Sequence, residues 1–288
     1  MKMAGYFRSL IGISLFLAAC TVICASEKKE APDAYTYRPG VRNTTGKNQL
    51  NEKQLKLVIE SLQAKTGFTG LRFDEAGFLT LDDPQRFAGG SASARELVEK
   101  AIQGKVQLVL ENHSYSTKVA FASITNNLVF INMSSKAQME HRSVHIDFTD
   151  FGKLIGSKEV RASFDLGIVL LHEFVHGAMN LLDRVDEWEE IGECERFVNT
   201  IRKELELPER QHYVARSQTV QTPMGWTVRM AELQFARTNY KNGTLKTDEF
   251  KLNWDVSRVG TGIRETLGPP PNVVATKNNE RKSTASVP

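Results

Sequence analysis

Residues 166–179 read LGIVLLHEFVHGAM, an apolar run that carries His172, Glu173 and His176 at helical spacing. Side chains four residues apart share one face of an α-helix, with Cβ atoms about 5–6 Å apart, so both imidazoles can bind one zinc ion. Glu173 then points at a water molecule beside the ion and can act as a general base. The alternative is a pair of core histidines, but burying two imidazoles and a carboxylate without a partner is costly. The run therefore predicts a zinc-binding helix.

The amino-terminal residues predict export. Two basic residues precede the apolar run 10–19, which is too short to span a bilayer comfortably as a permanent helix. We therefore expect a signal peptide over residues 1–25. Residues 17–20, LAAC, resemble the lipoprotein processing box, in which Cys20 becomes the lipidated first residue, and plain cleavage near Ala25 is the alternative. The expected location is the periplasm or the outer membrane, with a lipid anchor at Cys20, or else the exterior as a secreted protein.

Composition divides the remaining chain into three parts. Residues 26–49 are polar and lack an apolar period, which predicts a flexible linker, and residues 268–288 begin with GPPP and predict a disordered tail. Residues 50–267 are then the folded domain. Cys194 is the one cysteine of that domain, so a disulfide framework is not expected. The formal net charge of +3, without a basic run, argues against a nucleic-acid partner.

Periodicity predicts an α+β fold in which a small mixed or antiparallel sheet packs on the motif helix, with a minor carboxy-terminal β region. The further predicted helices are 50–65, 91–102 and 191–207. The predicted strands are 71–81, 106–110, 119–124, 128–133 and 144–148, followed by 219–228 and 246–254 in the second region.

A catalytic zinc usually has three protein ligands and an open position. The metzincin pattern, with Gly three and a third His six residues after the second His, is excluded because Met179 and Leu182 stand at these positions. His113, His141 and His145 are interpreted as surface or strand residues. The third ligand is therefore expected to be acidic or distant in sequence.

The predicted helix 191–207, which follows an acidic stretch over 183–190, offers two carboxylates. Glu193 lies at the margin of the apolar stripe, one turn before Phe197, whereas Glu195 lies on the side with more polar residues. We therefore favour Glu193 as the third zinc ligand and keep Glu195 as the alternative. Without a metal, the acidic residues would be a solvated helix start stabilised by the helix dipole.

Residues 164–213 resemble the NleD-type effector metallopeptidases and their relatives among the Rhs-type toxins. Those proteins carry HExxH, a downstream Glu, and an Asn-x-Ile-Arg run that ends in Leu-x-Leu-Pro-x-Arg-x-x-Tyr. Here residues 199–213 read NTIRKELELPERQHY. The resemblance implies a zincin fold of the gluzincin type, with Glu193 at the position of the acidic ligand. The chain departs from the pattern at Val198, where the resemblance leads us to expect an acidic residue.

Motif and resemblance together predict an exported zinc metallopeptidase that acts on a protein or peptide. Glu173 would take a proton from the attacking water and return it to the leaving amine. Tyr213, His212 or Arg210 would donate a hydrogen bond to the oxyanion, as the resemblance suggests, and an ordinary capping or surface role is the alternative for each. Two other functions stay open, namely a non-catalytic, lipid-anchored zinc-binding module and a zinc amidase with a non-peptide substrate. Glu173 argues against the first, because structural zinc needs no general base.

Overall fold

The computed structural model of the chain describes residues 38–125, 128–131, 138–183, 191–241, 243–261 and 265–267. The predicted signal peptide with Cys20, the first part of the predicted linker and the tail over 268–288 lie outside these residues. All of the described residues belong to the unit that runs from Arg38 to Pro288. Within them, no helix is both long enough and apolar enough to cross a membrane.

The described elements confirm the predicted α+β class. The helices are α1 (Glu52–Thr66), α2 (Ala92–Gln103), α3 (Lys158–Ala162), α4 (Leu166–Phe174) and α5 (Glu193–Glu204). The strands are β1 (Gly40–Asn43), β2 (Leu71–Phe73), β3 (Leu79–Leu81), β4 (Val106–Asn112), β5 (Ala122–Ile124), β6 (Leu128–Ile131), β7 (Gln138–Ile146), β8 (Glu209–Arg210), β9 (Ala215–Gln221), β10 (Thr227–Lys241), β11 (Thr244–Asp255) and β12 (Glu265–Leu267).

The first sheet is mixed and has the order β1-β4-β7-β5, with β6 also paired to β7. Strands β1, β4 and β7 run parallel, and β5 and β6 run antiparallel to β7. Strand β1 pairs Gly40–Asn43 with residues 107–110, although this stretch lies within the predicted linker 26–49. The side chain of Asn43 also exchanges hydrogen bonds with the backbone of Leu50. The linker prediction is therefore wrong for this part, which belongs to the folded domain.

The motif helix α4 packs at the centre of the main hydrophobic core. Its apolar side chains are buried together with those of α1, α2, α5 and the inward-facing residues of β4 and β7. Gly167 allows the close approach of α1, because a Cβ atom there would lie 2.6 Å from the carbonyl oxygen of Ser61. Since α4 is surrounded on most sides, its sequence is apolar around the whole helix apart from the motif.

Polar contacts fix the beginning of α4. Asp165 is the N-cap, and its Oδ1 accepts a hydrogen bond from the backbone N–H of Ile168 (3.0 Å). Its Oδ2 accepts from the ammonium group of Lys65 (2.6 Å), a buried side chain of α1. Because the lysine is buried, this pairing both caps the helix and neutralises the lysine charge. The position of the motif along the helix axis is thereby set relative to α1.

The second sheet has the order β11-β10-β9-β12, with β8 paired to β10, and it confirms the predicted carboxy-terminal β region. Its buried residues, which include Trp254 of β11, form a second apolar cluster with Phe121 and Phe164. The ring of Phe121 packs edge-on against those of Phe164 and Trp254, with centroids 5.1 and 5.4 Å away. The residues that precede β5 are therefore packed between α4 and this sheet. The predicted strand 119–124 is shorter in the structure because Phe121 adopts a left-handed conformation (φ 60°).

Candidate metal centre

The structure places His172 and His176 together on one side of the motif helix, as predicted. Their Nε2 atoms lie 3.1 Å apart and their rings are nearly perpendicular, with an interplanar angle of 85°. Both side chains are mostly buried. Two unlinked imidazole nitrogens at this separation need either a shared proton or a shared cation between them.

Asp183 supplies the third polar atom of this group. Its Oδ2 lies 3.0 Å from Nε2 of His176 and 3.4 Å from Nε2 of His172. A tetrahedral zinc ion with bonds of about 2.0–2.1 Å holds its ligand atoms about 3.3–3.4 Å apart. The three atoms are therefore spaced as zinc ligands would be, and a nitrogen, nitrogen and carboxylate oxygen set suits that ion.

Asp183 reaches the imidazoles because the chain turns back after α4. The last turn, Val175–Met179, is π-helical, and Asn180 ends it in a left-handed conformation (φ 55°, ψ 30°). Arg142 of β7 holds this turn, since its guanidinium group donates to the carbonyl oxygen of His176 (2.5 Å) and to Oδ1 of Asn180 (3.0 Å). The π-helical turn accommodates an extra residue. Asn180 therefore comes four residues after His176, whereas the Gly of the metzincin pattern comes three residues after its second His. Asp183 comes seven residues after His176, whereas the third His of that pattern comes six residues after the second.

The structure places neither predicted third ligand beside both Nε2 atoms. Glu193 is exposed at the first turn of α5 and does not belong to the cluster of metal-binding side chains among the described residues. Glu195 is fully buried, but its Oε2 lies 3.3 Å from Nδ1 of His172, on the far side of the ring from Nε2. Neither carboxylate is placed as Asp183 is.

Both imidazoles have an acceptor at the nitrogen that faces away from the cluster. Nδ1 of His176 donates to the carbonyl oxygen of Leu181 (2.6 Å), and Nδ1 of His172 faces the carboxylate of Glu195. An acceptor at Nδ1 fixes the ring orientation and leaves the lone pair of Nε2 for a metal. This arrangement is the one that ligating histidines usually have.

Glu195 is held by two buried arginines. Arg202 contacts one carboxylate oxygen, and Arg210 donates to the other (3.1 Å). Asn199 joins the two, because its Oδ1 accepts from both Arg202 (2.7 Å) and the backbone N–H of Arg210 (2.9 Å). Burial alone would raise the pKa of Glu195, but the positive charges of Arg202 and Arg210 hold it well below its usual range. The group behind His172 is therefore a carboxylate anion.

Glu173, the predicted general base, is buried beside the two imidazoles. Burial raises the pKa of its carboxyl group, and the charges of His172 and His176 oppose this shift. The carboxylate also accepts a hydrogen bond from the backbone of Ile124 in β5. A carboxylate with a raised pKa is better suited to accept and return a proton than an ordinary exposed one.

Charges within the cluster favour protonated imidazoles in the metal-free protein. Burial alone would lower the pKa of His176, but hydrogen bonds with Asp183 and Cys194 raise it to about 10. Burial alone would raise the pKa of Asp183, but hydrogen bonds with His172 and His176 hold it well below its usual range. A cation that binds between these groups would therefore have to displace protons from the imidazoles.

Tyr213 lies at the same cluster, in agreement with its predicted place in the site. Its ring stacks on that of His172 with centroids 6.2 Å apart, and its hydroxyl group hydrogen-bonds with Asp183. Arg210 holds this segment, because it donates to the carbonyl oxygens of His212 (2.9 Å) and Tyr213. Burial raises the pKa of Tyr213, so its hydroxyl group keeps its proton and can donate.

Cys194 is a further residue that the sequence analysis did not assign to the site. Its Sγ atom is buried and lies 3.5 Å from Nδ1 and 3.8 Å from Nε2 of His172. The thiol therefore sits beside the imidazole ring, within reach of the same group of ligand atoms.

The cluster opens into a cleft with a volume of about 260 Å³. Its lining includes residues 120–124, which contain the edge strand β5, together with Asp183 and Tyr213. Phe121 keeps its left-handed conformation because its backbone N–H donates to the buried carboxylate of Asp150 (3.1 Å). The cleft thus brings an exposed strand edge next to Glu173 and both imidazoles.

Comparison with known proteins gives no family for the chain. No protein-family model matches it, and neither a curated protein nor a solved structure does. The functional interpretation therefore rests on the geometry of the site.

Proposed function

We propose that the chain is a zinc-dependent peptidase with a zincin-like arrangement, in which His172, His176 and Asp183 hold the ion and Glu173 is the general base. The observation that carries the proposal is the triangle of Nε2, Nε2 and Oδ2 atoms, 3.0–3.4 Å apart. The resemblance to the NleD-type metallopeptidases supports the same chemistry, with Asp183 in place of the expected glutamate ligand. Export with a lipid anchor at Cys20 stays a prediction.

A zinc ion held by these three residues would polarise the scissile carbonyl group and lower the pKa of water in its open position. Glu173 lies beside the two imidazoles and accepts the proton of the attacking water. It then delivers this proton to the nitrogen of the leaving amine. Burial raises the pKa of this carboxyl group and the charges of the two imidazoles oppose the shift, which suits both the acceptance and the return of the proton.

Tyr213 is placed to donate to the oxygen of the tetrahedral intermediate. Its hydroxyl group is already directed at Asp183, and its raised pKa keeps it protonated. Arg210 and the stacked ring of His172 restrict its movement. Such a preoriented donor stabilises negative charge that develops only during the reaction.

The shape of the cleft favours an extended peptide as the substrate. Strand β5 is an edge of the described sheet, and a peptide can add to a sheet edge as a further strand. Ala122, Ser123 and Ile124 line the cleft next to Glu173. A peptide bound along β5 would pass its carbonyl groups in front of the two imidazoles.

The test is peptide hydrolysis by the zinc-loaded protein and its Glu173→Gln variant. We expect Gln to keep the shape and the bound zinc but to reduce hydrolysis by at least about 10²-fold, the lower end of general-base contributions. Glu193→Gln is the matched control, because Glu193 is exposed and lies outside the cluster. Full activity of Glu173→Gln with zinc bound would rule out the mechanism.

A second candidate function is a non-catalytic zinc-binding module, which the position of Cys194 favours. If the thiol completes a four-ligand set with two histidines and Asp183, the site is closed and typical of structural zinc. Replacement of zinc by cobalt distinguishes the two, because a thiolate ligand adds a charge-transfer band in the near ultraviolet. A peptidase predicts no such band and an active Cys194→Ser variant, whereas the closed site predicts the band and its loss in that variant.

A further inference from the structure

A second group of metal-binding side chains lies on the opposite face of the first sheet. Glu111 of β4 is paired directly with His145 of β7, and His113 follows the end of β4. Their neighbours Leu110 and Val144 point into the core that contains α4. Because side chains alternate along a strand, Glu111 and His145 point away from that core. This group is therefore separate from the motif site.

The three side chains converge on one point. Oε2 of Glu111 lies 3.2 Å from Nε2 of His113 and 3.7 Å from Nε2 of His145. The two imidazole rings lie with their centroids 4.1 Å apart. The distances from Oε2 lie within a few tenths of an ångström of the roughly 3.3–3.4 Å between tetrahedral zinc ligands, and the three ligand atoms all lie within 4.8 Å of one another. The side chains are 18–26% exposed, so an ion can reach them from solvent.

Neighbouring polar groups hold the carboxylate and one of the imidazoles in place. Ser143 donates to Oε1 of Glu111 (2.9 Å), which leaves Oε2 directed at the histidines, and Asn48 donates to Oε2 at 3.4 Å. The backbone N–H of His113 donates to the carbonyl oxygen of Ile146 (2.8 Å). Such contacts around a ligand set reduce the ordering needed when an ion binds.

We propose that Glu111, His113 and His145 form a second zinc site. Two imidazoles and one carboxylate are a donor set that suits zinc among the divalent ions. An ion there would join the ends of β4 and β7 to the loop that leads into β5, one wall of the cleft. The proposal does not depend on peptidase activity.

The experiment measures zinc by elemental analysis after equilibration with zinc chloride and removal of free metal. The His172→Ala/His176→Ala variant loses the motif site and is expected to retain one zinc per chain. Adding His113→Gln and His145→Gln is expected to remove it, because Gln can still hydrogen-bond to Glu111 but is a poor zinc ligand. The proposal would be overturned if the His172→Ala/His176→Ala variant folds but holds no zinc. It would also be overturned if the variant with all four substitutions holds as much zinc as that double variant.

Two further measurements keep the proposal testable if the variant without the motif site does not fold. In the otherwise unchanged chain, His113→Gln/His145→Gln is expected to lower the zinc content from two per chain to one. His141→Gln is the matched control, since His141 lies on the same sheet face and its Nε2 contacts the hydroxyl group of Ser143 (3.4 Å), but it is not one of the three clustered side chains. Equal zinc in His113→Gln/His145→Gln and in the unchanged protein, or equal loss in His141→Gln, would overturn the assignment.

Discussion

Replacement of Asp183 by Asn tests the metal centre most directly. The variant keeps the size of the side chain but removes the charge from one of the three atoms that lie 3.0–3.4 Å apart. Loss of a group that only orients a ligating histidine typically costs 10–100-fold in metal affinity, so loss of a ligand should cost at least about 100-fold. Glu195→Gln should fall within the 10–100-fold range, because Glu195 contacts Nδ1 of His172. Glu193→Gln should leave zinc affinity unchanged.

The measurement is competition for zinc against a chromophoric chelator at one fixed pH. Far-ultraviolet circular dichroism of the metal-free variants confirms that each has folded. The expected order of affinity loss is Asp183→Asn, then Glu195→Gln, then Glu193→Gln. If Asp183→Asn binds as tightly as the unchanged protein, the assignment is wrong. Tight binding that disappears only when Cys194→Ser is added would identify the thiol as the third ligand.

Three further outcomes follow from the site. Tyr213→Phe should keep zinc but lower kcat by about 10²-fold or more, since it removes one oxyanion donor, and unchanged kcat would exclude that role. Arg202→Met should lower the free energy of unfolding by about 3 kcal/mol, measured by urea denaturation, because Glu195 loses one of two buried partners. Zinc binding should release protons near neutral pH and weaken as the pH falls, because the pKa of His176 is raised to about 10 in the metal-free protein. Calorimetry in buffers of different ionisation enthalpy measures the release, and no dependence on buffer would contradict it.

Elements whose ends are set by neighbouring residues could be predicted from the sequence. The helix predicted over 50–65 is Glu52–Thr66 in the structure. Asn51 caps it through its side chain, and Gly67 ends it in a left-handed conformation (φ 77°), so both ends are set by adjacent residues. The motif helix and its paired histidines were predictable for the same reason, since four-residue spacing fixes their shared face.

Strand β1 and the position of Asp183 depend on distant residues and could not be predicted in this way. Gly40–Asn43 is short, and it becomes a strand because its parallel partner lies at residues 107–110. Asp183 is brought back by the turn at Asn180, which Arg142 of a different strand holds. The sequence held two signals for this arrangement. One is the acidic stretch over 183–190, and the other is Asn180, a residue type that tolerates a left-handed backbone conformation.

Periodicity did not predict that α5 is buried on its polar side as well. Glu195 lies on the more polar side of the helix together with Asn199 and Arg202, yet these residues are between 0% and 6% exposed. Their charges and amide groups satisfy one another within the protein, so burial on that side needs no apolar side chains. Hydrophobic periodicity detects an apolar face but not a buried, mutually paired polar one.

The polar residues of α5 and the segment after it form a charged cluster behind His172. Glu195 needs two guanidinium partners to be buried as an anion, and each guanidinium also binds main-chain carbonyl groups. Arg202 donates to the carbonyl oxygen of Ser163, just before the motif helix, and Arg210 donates to those of His212 and Tyr213. One charged cluster thus sets the positions of α4, α5 and the Tyr213 segment together. A change in this cluster should therefore affect folding and zinc affinity at once, whereas a change at Asp183 should act on the metal alone.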